Sequence, residues 1–132
     1  MSQWSGHART NYFQVKDPAA FQAEFAKYDL EILTNKDGSF GLISEEEFGG
    51  WPSNILNEEQ DNWEDIDIPY LVAGHLADDE VAVFQEVGND KLKYLTGSAR
   101  AINNKGEDVT IRIDDIYHLA KHLGANITEA TY

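Results

Sequence analysis

A chain of 132 residues can bury one core but is short for two comfortable domains, and its 42% hydrophobic and 11% aromatic content excludes the composition of intrinsic disorder. The absence of cysteine excludes disulfides, thiolate metal sites and thiol nucleophiles. A net charge of −14 disfavours nucleic acid and anionic membrane surfaces as ligands, since both are gripped through Lys and Arg.

The opening MSQWSGHARTNYF has no apolar signal core, and no apolar run reaches membrane-spanning length, so a soluble cytoplasmic protein is expected. Thr10–Lys16 (TNYFQVK) alternates as a first strand. Asp17-Pro18 is a helix start, with the aspartate as cap and proline at the first helical position. Phe21, Phe25 and Tyr28 then form one apolar stripe. Strands over Leu30–Thr34 and Phe40–Ser44 follow, joined by the turn residues Asn-Lys-Asp-Gly. The stretch 45–67 has weak periodicity, and Gly49-Gly50-Trp51-Pro52 cannot continue a helix or central strand, so an irregular segment pinned by its aromatics is expected.

Pro69 opens a second predicted helix to about Ala77, and Glu80–Val87 reads as a strand with Val81, Val83 and Val87 on one face. Gly88-Asn89-Asp90 is a predicted turn, and Lys91–Ile102 a long strand in which Gly97 marks a bulge or bend. After a turn at Asn104-Lys105-Gly106, Val109, Ile111 and Ile113 alternate as another strand. Asp114 caps a third predicted helix, with Ile116, Leu119, Ala120 and Leu123 facing inward and Gly124 ending it. A last strand is placed at Asn126–Thr131. The expected fold is a single α+β domain over residues 1–132, a mainly antiparallel sheet with about three helices packed against it.

Charge is the most polarised property. Between Lys36 and Lys91 there is no lysine or arginine but fifteen carboxylates, while both flanks are nearly neutral. Twelve of these acids are Glu45, Glu46, Glu47, Glu58, Glu59, Asp61, Glu64, Asp65, Asp67, Asp78, Asp79 and Glu80. Trp51 and Trp63 lie within the same stretch. Such an array steers association with a basic partner, and the tryptophans offer anchor area or core packing.

Motifs for chemistry are sparse. His118 and His122 would align with Asp114 on a helix, but the HLAKH spacing lacks the glutamate of zinc proteases, and Lys121 repels a cation. No calcium-loop pattern, nucleophile elbow or phosphate-binding glycine loop is present. Neither an enzyme nor a cofactor or metal is expected, a metal-dependent hydrolase using the two histidines being the reading of last resort.

The run LKYLTGSARAINNKGEDVTIRIDDIYHLAKHLG resembles small proteins carried by bacterial phages and plasmids. The chain's size and acidity are similar to those of the anti-CRISPR and anti-restriction inhibitors that such elements use against host defence. The resemblance implies a non-enzymatic inhibitor and transfers no site residue. The expectation is therefore a monomeric or homodimeric protein whose acidic surface blocks a basic nucleic-acid-binding groove, with an immunity protein against a basic toxin or nuclease as the alternative.

Overall fold

The computed structural model describes residues 4–44, 50–90, 94–128 and 130. Six strands form one antiparallel sheet: β1 (Trp4–Thr10), β2 (Leu30–Thr34), β3 (Phe40–Ser44), β6 (Val81–Asp90), β7 (Tyr94–Asn103) and β8 (Asp108–Arg112). Their spatial order is β2-β3-β1-β6-β7-β8, so the first strand lies in the middle. A separate hairpin pairs β4 (Asn54–Asn57) with β5 (Asn62–Asp65). Helices α1 (Pro18–Phe25) and α2 (Ile68–Ala73) pack on one face of the sheet, and α3 (Asp115–Leu119) follows β8. The fold is α+β, as the tight hairpins predict. No helix among the described residues is long and apolar enough to cross a membrane.

One core fills the space between sheet and helices. Phe21 and Phe25 of α1 meet Phe13, Phe40 and Leu42, while Ile68, Val72 and Leu76 cover Ala82, Phe84 and Ile102. Fully burying such a side chain contributes about 1.5–3 kcal/mol. The helix starts follow from their caps. The Asp17 carboxylate accepts from the Ala19 and Ala20 N–H groups, and that of Asp67 from Tyr70 N–H. Two of the three predicted glycine turns form, with Gly38 at φ +87° and Gly106 at φ +80°, where a Cβ would be strained.

Several elements depart from the sequence reading. The first strand is Trp4–Thr10 rather than Thr10–Lys16, which contributes only isolated bridges at Phe13 and Val15. The inward positions of β1, namely Gly6, Ala8 and Thr10, are small or polar, so the strand has no apolar alternation to announce it. Where the chain leaves the sheet, Asn11 imitates a strand: its side chain donates to Val81 O and accepts from Val83 N–H. Buried Thr10 likewise accepts from Leu42 N–H at 2.9 Å. The stretch expected to be irregular holds the β4–β5 hairpin, because Asn57 closes its turn by accepting from Glu59 and Gln60 N–H.

Helix α2 ends at Ala73 rather than Ala77. Strand β6 runs on through Asp90 instead of turning at Gly88, since β1 and β7 pair with it along that length. The β6–β7 register is continuous, so Gly97 marks no bulge. A Cβ at Gly97 would meet Ile113 and Val87 at 3.6 and 3.7 Å, ordinary contact distances, so the packing accepts glycine there without requiring it. The Asn126–Thr131 strand does not form over the described residues 126–128 and 130.

The largest departure concerns the sheet's second face. The buried side of β6 carries Ala82 and Phe84, whereas Val81 and Val87 point to the open side. The small residues Gly97, Ala99 and Ala101 of β7 floor this side, with Val109, Ile111 and Ile113 beyond them. Helix α3 does not cover it. Ile116, Leu119 and Leu123 are all more than half exposed, contrary to the inward stripe expected, and Asp114 makes no side-chain cap bond.

Candidate functional site

The β4–β5 hairpin turns the middle of the acidic stretch into a two-stranded arm. Its four-residue loop, Glu58–Asp61, reverses the chain with Asp61 at φ +52°, in the left-handed region that aspartate tolerates. Glu58, Glu59 and Asp61 therefore stand at the tip, and Glu64 and Asp65 follow on β5, where every residue is exposed. No basic side chain among the described residues pairs with any of these five. Glu64 instead accepts from the Asn57 amide. Leu56 and Trp63 are directly opposed across the hairpin, and Trp63 is 66% exposed.

The base of the arm is fixed to the body. Ile66 N–H donates to Ser53 O at 2.9 Å, and Trp51 packs edge-on against Phe84 with ring centroids 5.2 Å apart. The two tryptophans thus have opposite fates: Trp51 joins the core and Trp63 remains in solvent. Asp67 sits at the hinge between arm and α2. Its carboxylate receives Arg100 Nη1 at 2.9 and 3.2 Å, while Arg100 Nε donates to Asp108 at 2.7 Å. Burial alone would lower the Arg100 pKa, but the hydrogen bonds and charges of Asp67 and Asp108 outweigh it and raise it. Asp67 is consequently a neutralised structural acid as well as a member of the belt.

Between arm and sheet lies a cavity of about 280 Å³, reached by Trp51, Asp67, Phe84, Glu86, Ser98 and Arg100. Burial pushes the Glu86 carboxyl above its ordinary range, partly countered by the backbone N–H of Trp51. Charge patterning does not distinguish Glu86 or Arg100. Their strand positions, two residues from Phe84 and Ile102 on the inward side, are the only signal that could have found them.

The remaining acids are placed separately. Asp78 accepts from Asn104 Nδ2, and Glu80 accepts from Gln14 N–H at 2.7 Å, so both brace the loop between α2 and β6. Asp79 adopts φ +66°. Asp67 and Asp78 thus attach to β7 at Arg100 and just past its end at Asn104, roughly 13 Å apart by strand rise. Glu45, Glu46 and Glu47 lie outside the described residues. The structure gathers Glu58–Asp65 into one unit and sets Asp78–Glu80 apart from it.

The histidines do not form a metal centre. Helix α3 ends at Leu119 and the chain tightens into a 3-10 turn over Ala120–Leu123, which breaks the α-helical spacing of Asp114, His118 and His122. His122 Nδ1 lies 2.9 Å from Leu119 O, and no group of three potential ligands occurs among the described residues.

Set beside known protein families, characterised proteins and solved structures, the chain matches none of them.

Proposed function

We propose that this protein is a non-enzymatic inhibitor that binds a basic, nucleic-acid-binding component of a bacterial defence system and occludes its groove with the acidic arm. The observation that carries this reading is the β4–β5 hairpin, with an exposed Trp63 and five carboxylates that no basic side chain among the described residues neutralises. Phosphate-binding grooves are lined with Lys and Arg, so a fixed carboxylate array competes for the same cations. Charge sets the encounter rate and its salt dependence, while Trp63 and Leu56 supply apolar contact. Glu45–Glu47 belong to the same acidic stretch of sequence, and Asp78–Glu80 add negative charge at the loop between α2 and β6.

The test is expression in bacteria carrying a restriction or CRISPR system, scored by survival of a targeted plasmid. Wild-type protein should protect the plasmid against at least one such system. The variant Glu58→Lys, Glu59→Lys, Asp61→Lys, Glu64→Lys should not, while still melting cooperatively. Equal protection by that variant rules out the acidic arm as the inhibitory surface.

A further inference from the structure

We infer that two copies of this chain associate through the open face of the β6–β8 sheet and α3, each copy's helix lying in the groove of the other. This does not depend on the proposed inhibition, because it uses the opposite, apolar part of the molecule.

The groove has a floor and two walls. Gly97, Ala99 and Ala101 of β7 are the low centre; Val83, Gln85 and Val87 of β6 stand on one side, the polar Gln85 between two valines, and Ile111 and Ile113 on the other. Ile111 is 63% exposed in the isolated chain. An alternating strand pair with small residues between β-branched ridges is the shape an apolar helix ridge fills. The chain carries such a ridge in Ile116 and Leu119 of α3, with Leu119 64% exposed. Sheet and helix each lack what the other supplies.

Helix α3 is held off its own sheet. Only Ile113 and Asp114 separate Arg112 of β8 from the helix start, and Arg112 N–H donates to the Asp115 carboxylate at 2.8 Å across that link. Ile113 N–H is meanwhile bonded to Gly97 O at 2.8 Å. A second copy related by a two-fold axis satisfies both surfaces at once, since helix meets groove and groove meets helix.

Charge and area favour a copy of the same chain over another partner. The open-face positions of β6–β8, alternating from Val81 to Val87, Leu95 to Ala101 and Val109 to Ile111, carry no charged side chain, since Arg100, Asp108 and Arg112 fall on the opposite side. With only Asp114, Asp115 and Lys121 around α3, this surface is nearly neutral on a molecule of net charge −14, so it is where two copies approach with least repulsion. The ten exposed large aliphatics between Val81 and Ile127 present on the order of 1,000 Å² per chain, against the roughly 800 Å² per partner of a standard stable interface.

Sedimentation equilibrium of the purified full chain at micromolar concentration tests this. Wild type should run at twice 14.9 kDa, and Ile111→Lys and Leu119→Lys should each run as folded monomers. Because the chain has no cysteine, mixing Ile111→Cys with Leu119→Cys under oxidation should yield a covalent heterodimer in excess of either homodimer. Raising salt should strengthen this association by screening the like net charge, whereas it weakens binding by the acidic arm. A wild-type monomer at every concentration overturns the inference, as does a dimer that both lysine variants leave intact.

Discussion

Replacing Arg100 by methionine isolates what holds the acidic arm to the sheet. The guanidinium bridges Asp67, at the junction of arm and α2, to Asp108 on β8, and methionine keeps much of the apolar stem. Side-chain exposure is 29% for Arg100, 50% for Asp67 and 40% for Asp108, so both pairs are half screened by water. Exposed pairs are worth about 0–1 kcal/mol and breaking buried ones costs about 3–5, which puts each of these near 1 and the loss at about 2 kcal/mol. For a chain of this length that lowers Tm by about 7 °C. Urea denaturation of wild type and Arg100→Met at low and 1 M salt measures it. The gap should narrow at high salt, and proteolytic cleavage within Asn54–Asp65 should accelerate in the variant. A difference below about 0.5 kcal/mol, with unchanged cleavage, would show that Trp51 packing alone fixes the arm.

Phe21 is fully buried and its ring meets those of Phe13, Phe25, Phe40 and His75, so Phe21→Ala should cost about 4 kcal/mol in equilibrium unfolding. A cost under about 2 kcal/mol would mean the core collapses into the space. Glu86 gives a pH signature. Burial raises its carboxyl, so the folded chain holds that proton more tightly than the unfolded chain. This contribution is fully present below the ordinary glutamate range and is lost as pH rises through the raised value. Glu86→Gln should therefore be more stable than wild type at neutral pH and show a flatter stability curve just above that range; superimposable curves would refute the assignment.

Elements with their own local chemistry were legible in the sequence. Asp17-Pro18 and the Asn-Lys-Asp-Gly and Asn-Lys-Gly turns specify their geometry through caps and positive-φ glycines, whatever surrounds them. Position-dependent features were not. β1 is a strand because β3 and β6 flank it, and its small inward residues give no period. The valines of β6 and the stripe on α3 look like core residues, yet periodicity reports only that a face is apolar, not what covers it. Within the acidic belt, sequence could not separate Asp67, neutralised by Arg100, from Glu58 and Glu59 at the arm's tip. It could not divide Trp51 from Trp63 either, because that depends on which one reaches Phe84.

The central place of β1 orders events during synthesis. This strand leaves the ribosome before either partner, yet Arg9 must find Ile43 on one side and Gln85 on the other. At about 5–20 residues per second, β6 emerges several seconds after its neighbour. Until then β1 can pair only with β3, and the edge that β6 will cover stays open. Removing β1 would leave two sheets with no common strand, so Trp4–Thr10 is the keystone of the fold.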